Sequence, residues 1–594
     1  MKLGSLLGCI LVCCLAIAAT QCARPVPAGA GAADLPHLRK QGTATQLVVD
    51  GKPFLALAGE LANNSATSVE YMKPVWAKLV ESKLNAVLAG VSWAQIEPAE
   101  GKFDFSVPDG VIRDARSHKL RLVLLWFASW KNGMSSYPPN WVKKDFERFP
   151  RAQIGPSEVP WPVLTISSTV PRAKVAENTS IEMLDSFADA NRDADARAFA
   201  ALMRHLKEMD GTDRTVIMIQ VENEVGMQGD SRDRSPAANA AYAAPVPKEL
   251  MDYLQQHKDG LIPEFRQVWA AAGFKTAGTW EEVFGKNTAA DEIFEAWSFA
   301  RYVGRVAEAG KAEYPLPMYV NAALPRTASL ADAVGKPREY GKAGSGFAIG
   351  GPMADAMDVW RAAAPAIDIL SPDAYNDYEA WCARYDRNGN PLFVPESRGG
   401  SEGAGRMIYA FGRHNAIGYS PMGIDRPASP DPDLTSSYDT IAQLAPLIAE
   451  HQGKGEMSAV LLRPNDPPQK VQVGNYTLEA TFLGPRRANG EPPPTGAPPP
   501  PAAAIFIAAG PDEFYAAGCG MTVGFSPNTP GPAHAGLATV EEGSFVNGRW
   551  VAGRSLAGDD SDEGQYLMLR RPSGCSSPPA SGQSIQHFTL YRYR

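Results

Sequence analysis

Two glutamates in this 594-residue chain sit where bond-breaking chemistry would need them. One closes the segment Gln220-Val221-Glu222-Asn223-Glu224-Val225-Gly226, directly after the apolar run Val216-Ile217-Met218-Ile219. The other lies far along the chain in Phe393-Val394-Pro395-Glu396-Ser397. Both runs read as buried strands, so both carboxyls are expected where a strand ends and a loop begins, which in a (β/α)8 barrel is the catalytic rim. A pair of carboxyls placed there can split a glycosidic bond. One, protonated, hands its proton to the departing oxygen, and the other, ionised, attacks or stabilises the anomeric carbon. A separation of about 5 Å gives retention of configuration and about 6.5–9.5 Å admits a water and gives inversion.

The string from Gln220 to Gly226 resembles the acid/base motif of glycoside hydrolase family 35, the β-galactosidases of clan A, with Val225 where that family has tyrosine. The resemblance implies Glu224 as acid/base, Asn223 as a hydrogen-bond donor to the sugar 2-hydroxyl and Glu222 as a supporting group. It implies Glu396 as nucleophile on the seventh strand. Trp93-Ala94-Gln95-Ile96-Glu97 with Gly101-Lys102-Phe103-Asp104-Phe105 is similar to the second-strand loop of these enzymes. Gly59-Glu60 is similar to their first-strand end, although Leu61-Ala62-Asn63 replaces Ile-His-Tyr. After the third strand, Trp126-Phe127-Ala128-Ser129-Trp130-Lys131-Asn132-Gly133 replaces the family's Cys-Ala-Glu-Trp region. Tyr375 matches in position the clan's tyrosine that hydrogen-bonds the nucleophile and holds it ionised. The whole is similar to a divergent bacterial branch that carries its own C-terminal β domain and trims plant polysaccharides such as xyloglucan.

Positioning these groups calls for alternating strands and helices. Apolar runs at 54–58, 86–91, 121–125, 216–220, 318–320, 367–370, 392–394 and 416–419 are eight candidate strands. Between them run amphipathic stretches such as 68–81 and 193–210, the pattern of a closed parallel barrel over 34–450. Long insertions at 135–191 and 227–248 follow the third and fourth strands and are expected on the rim. Trp93, Trp126 and Trp130, at strand ends on the catalytic side, are candidate sugar-stacking residues, as are Trp141, Trp161 and Trp297 in rim segments. Asn321, after the fifth strand, is placed to touch substrate, and Glu60 after the first.

From about residue 451 the pattern turns to short alternating runs bounded by Gly and Pro, which reads as an antiparallel β-sandwich to residue 594. It is expected to buttress the barrel. The Pro-rich stretch 491–501 lies between two strand signals and is expected to be a surface loop.

A net charge of −8 and a pI near 5.7 exclude a polyanion such as nucleic acid as partner. A neutral carbohydrate is compatible. Residues 1–23 read as a signal peptide for export to the periplasm or beyond, leaving no membrane span after cleavage. Of seven cysteines, Cys9, Cys13 and Cys14 leave with it, and Cys519 and Cys575 are either bridged or both free. No Cys/His cluster has metal-ligand spacing, so neither metal nor other cofactor is expected. Three activities are open: a retaining exo-β-galactosidase, a β-glucosidase or other clan A exo-glycosidase, and a noncatalytic carbohydrate-binding barrel.

Overall fold

Eight parallel strands close into a barrel. In the computed structural model, which describes residues 35–155, 179–227, 229–325, 348–484, 499–571 and 584–594, they are Ala56–Glu60, Ala86–Ser92, Arg121–Lys131, Val216–Asn223, Met318–Ala323, Ile369–Ala374, Phe393–Ser397 and Gly418–Pro421. All eight coincide with the apolar runs read from the sequence. The observed strands reach further toward their C-terminal ends, because the polar residues there still pair with neighbouring strands.

Alternation along each strand sorts the side chains. Ala58, Val123, Leu125, Phe127, Tyr319, Ile369 and Phe393 fill the lumen, while Leu57, Leu124, Trp126 and Val394 face the surrounding helices. Helix Val69–Glu81 begins on Ser68, whose hydroxyl accepts from Tyr71 N–H, as the 68–81 pattern suggested. Helix Asp189–Asp210 starts four residues before the expected 193, taking in Asp189 to Arg192. No helix among the described residues is long and apolar enough to cross a membrane.

One element was not anticipated. Residues expected to open the barrel instead form an antiparallel sheet, His37–Gln41, Ala44–Val49 and Lys52–Pro53, ahead of the first barrel strand. Leu47 and Val49 join the lumen core and stopper the end opposite the catalytic rim.

After helix Pro432–His451 the chain builds a six-stranded and a four-stranded antiparallel sheet with a shared apolar core between them. The outer face of the larger sheet lies on helix Gly400–His414, where Gly405 and Gly412 admit Leu461, Ala459 and Ile505 at contact distance. The C-terminal sheets thus pack directly on the barrel. Most of 491–501, Cys575, Trp161 and residues 1–23 lie outside the described residues.

Candidate active site

The rim end of the lumen is lined by polar groups that the sequence pattern scatters over six strands. Glu60 ends the first strand, Lys131 the third and Asn223 the fourth, with Glu224 just beyond it. Asn321 stands on the fifth strand, Asp373 on the sixth and Glu396 on the seventh.

Regular alternation would not place all of them inward. On the seventh strand Phe393 faces the lumen, so position 396 would face the helices. The register against the eighth strand slips instead. Val394 to Ser397 spans three steps while their partners Tyr419 to Pro421 span two. This bulge at Pro395 turns Glu396 inward, opposite Asp373. On the third strand the register against the fourth also slips, Trp126 to Lys131 spanning five steps against two from Val221 to Asn223, while alternation from the inward Phe127 leaves Trp130 outward and Lys131 inward. Glu222 and Glu224 both adopt positive φ, 60° and 45°, a strained conformation that reorients consecutive side chains at the strand end.

The two expected carboxyls meet. One carboxyl oxygen each from Glu224, Asp373 and Glu396 lies within 4.8 Å of the others. Tyr375 donates its hydroxyl to Glu396 Oε2 at 3.0 Å, the contact expected of it. Asn223 and Asn321 each present Nδ2 to Glu396 Oε1 at 3.4 Å. Asn321 also accepts the backbone N–H of Glu224 at 3.0 Å and donates to Asp373 Oδ2 at 2.7 Å. It thus clamps both glutamates and the aspartate, which is a positioning contact within the site.

Three further residues were not recognised from sequence. Lys131 Nζ donates to Asn223 Oδ1 at 2.7 Å. Burial pulls that ammonium down, but Glu396, Glu224, Glu60 and Asp373 outweigh burial and leave it above its ordinary value. Asn132 donates to Glu224 Oε2 at 2.5 Å. Asp373 is pushed well above the usual carboxylate range by burial, then by Glu396 and Glu224, and shares a hydrogen bond with Glu224. The signal for the first two was a lysine and an asparagine ending an otherwise apolar run, in the segment where the family pattern breaks.

Glu222 takes the supporting part expected of it. It accepts from the backbone N–H groups of Ser129 and Trp130 at 3.2 and 2.7 Å and is raised by burial and by Asp195, with which it shares a hydrogen bond.

The tryptophans need correction. Trp93, Trp126 and Trp130 are fully buried and offer no face to a sugar. Trp93 donates to Glu97 Oε2 and packs edge-on against Trp141. Trp126 donates to Asp195 on helix Asp189–Asp210, and Trp130 lies against Phe299 and Tyr302 on helix Thr288–Glu313. Trp93 and Trp130 do lie at strand ends, whereas Trp126 sits midway along Arg121–Lys131, and all three turn toward the helices.

Residues 67–155 match a glycoside hydrolase family model, family 42, described as β-galactosidase. Residues 434–568 match a domain of unknown function, DUF5597. No curated protein matches the chain. Among solved structures, the β-galactosidase of Rahnella sp. R3 is 15% identical with a TM-score of 0.38, over 62% of this chain and 50% of that one. A β-galactosidase of Halorubrum lacusprofundi is 16% identical with a TM-score of 0.38, over 65% and 58%. The β-amylase catalytic domain of Paenibacillus polymyxa is 12% identical with a TM-score of 0.40, over 64% and 95%. The chain spans only about half the length of the Rahnella enzyme. The matched family is 42, whereas the motif at 220–226 resembles family 35. Residues 67–155 of the barrel thus resemble a family model described as β-galactosidase.

Proposed function

We propose that this protein is an exported, retaining exo-β-galactosidase that removes terminal β-D-galactose from oligosaccharides or plant polysaccharides such as xyloglucan. The observation that carries the mechanism is the approach of the Glu224 and Glu396 carboxyl oxygens to within 4.8 Å. An approach of these oxygens within about 5 Å is what a covalent intermediate needs, and it favours retention over inversion through a water.

Glu396 attacks C1 of the terminal sugar while Glu224 protonates the leaving oxygen. The hydrogen bond between Asp373 and Glu224 keeps a proton at this pair of carboxyls. Glu224 then draws a proton from water, which releases the sugar from Glu396. Tyr375, Asn223 and Asn321 hold the Glu396 carboxylate at a fixed angle through the attack. Asn223 is placed beside the nucleophile, where the sugar 2-hydroxyl would sit.

The test is hydrolysis of a panel of p-nitrophenyl β-glycosides by wild type, Glu224→Ala and Glu396→Ala, with azide added. Selective turnover of the β-galactoside, with β-galactosyl azide from Glu224→Ala and the α-azide from Glu396→Ala, supports both roles and the sugar. Preference for the β-glucoside would overturn the substrate and keep the mechanism. Wild-type rates in both variants would overturn the catalytic assignment.

A further inference from the structure

The floor of the site holds more hydrogen-bonding capacity than the catalytic pair uses. Glu60 is 1% exposed, and neither of its carboxyl oxygens has a partner among the described residues. The strand alternation that sends Ala56 and Ala58 into the lumen sends Glu60 there too. Its electrostatic neighbours are Glu396, Lys131, Glu224 and Arg426. Below it, the buried hydroxyl of Tyr319 is also without a partner.

Lys131 adds unspent donors. An ammonium carries three N–H groups, and among the described residues its one hydrogen-bond acceptor is Asn223 Oδ1. Buried polar groups left unpaired each cost about 1–3 kcal/mol, so natural proteins keep few of them without a ligand to satisfy them. Here several converge on one spot beside the nucleophile.

The ligand that completes them is neutral. Four carboxyls, Glu60, Glu224, Asp373 and Glu396, surround the single ammonium of Lys131. Even with Glu60 protonated and one proton shared by Asp373 and Glu224, two negative charges remain against that one ammonium, so a uronate or sulfate brought in here would meet a net negative field at close range. Lys131 is therefore unsuited to receive an anion and suited to donate to an alcohol. Burial first, then Glu396, pushes the Glu60 carboxyl well above its usual range, so it can give as well as take a hydrogen bond.

We propose that Glu60 and Lys131 are the specificity-determining pair of the sugar subsite, together binding one ring hydroxyl of a neutral pyranose: Lys131 donates to that hydroxyl, and Glu60 holds its other side. This rests on the reading of the site as a glycosidase subsite and says which residues choose the sugar. A site built around a hydroxyl discriminates strongly against the analogue that lacks it, because its own buried groups are then left unpaired.

The experiment uses the full chain as wild type, Glu60→Leu, Lys131→Met and Glu60→Gln, each checked for wild-type far-ultraviolet circular dichroism. Binding of D-galactose and its four monodeoxy analogues at positions 2, 3, 4 and 6 is measured by calorimetry. Hydrolysis of p-nitrophenyl β-D-galactoside, β-D-glucoside and β-D-galacturonide is measured alongside. In wild type, one monodeoxy analogue should bind about 10- to 100-fold more weakly than galactose. Glu60→Leu and Lys131→Met should weaken galactose by a similar factor while changing the affinity of that one analogue less than about threefold, the signature of a shared contact. Glu60→Gln, which keeps a donor and an acceptor, should stay within about tenfold of wild type.

Equal loss across galactose and all its analogues would overturn the pair while leaving the glycosidase reading intact, provided wild type still hydrolyses a glycoside. Preferred turnover of the galacturonide would also overturn it. Hydrolysis of no glycoside, with selective sugar binding preserved, would overturn the reading and keep the pair. Neither binding nor hydrolysis in wild type would overturn both.

Discussion

The hydroxyl of Tyr375 stands 3.0 Å from Oε2 of Glu396. Its own backbone carbonyl is gripped by Arg398 and Arg406, so the ring is fixed from both ends. A hydrogen bond to a carboxylate is worth about 1.5–3 kcal/mol. Tyr375→Phe should therefore lower kcat about 10- to 100-fold with little change in KM, measured on whichever p-nitrophenyl glycoside wild type prefers. An unchanged kcat would remove Tyr375 from the catalytic machinery.

Trp126 belongs to the wall of the barrel. Its indole N–H reaches Asp195 Oδ1 at 2.8 Å, in a buried network where Ser129 bonds both Asp195 and Tyr302. Trp126→Phe strands that carboxyl oxygen and should cost about 1–3 kcal/mol in urea unfolding, with KM held within about twofold. A raised KM at full stability would return Trp126 to the sugar-stacking role.

Behind the rim, Asp185 joins the insertion before helix Asp189–Asp210 to the loop that follows Glu224. Burial first and Asp233 second push its carboxyl up to about 7. Gln153 N–H and Ser235 N–H both donate to Asp233, tying the two rim segments together. Because the folded state keeps a proton on Asp185 that the unfolded chain releases at ordinary carboxylate pH, this contribution to stability falls as pH rises from about 4 to 7. Above that window the loss is complete. Asp185→Asn should flatten the decline of melting temperature measured between about pH 4 and 7. An undiminished slope would place the titration elsewhere.

Gly412 lies in the tight contact between the barrel and the C-terminal sheets. A Cβ there would lie 2.6 Å from Ala459 Cβ and 2.8 Å from Ile505 Cγ1. Overpacking of this kind costs about 1–3 kcal/mol. Gly412→Val should lower the melting temperature and quicken proteolysis between the two domains, and an unchanged melt would show that the contact carries no stability.

The barrel was legible because a buried parallel strand has no polar face, so eight apolar runs stand out against polar loops. The catalytic pair was legible because each glutamate directly follows such a run. Side-chain direction was not. Along the third strand the alternation that sends Phe127 inward sends Trp126 and Trp130 out and Lys131 in, and nothing in the string from Trp126 to Asn132 announces which phase the strand takes. Asp373 was hidden for another reason: as one acid among many, it gains meaning only when Asn321 and Glu224 are found beside it. The N-terminal sheet was missed because its short strands adjoin the first barrel strand without a compositional break.

The bulge at Pro395 makes the chemistry of this barrel a matter of parity. With Pro395 removed the pleat would be regular, and Glu396, then next after the outward-facing Val394, would still face the lumen. The strand would still pair on both sides, so the barrel would still close. A single-codon deletion here thus leaves the reactive edge in place, whereas ironing the bulge flat at full length would turn the glutamate out among the helices and part catalysis from folding.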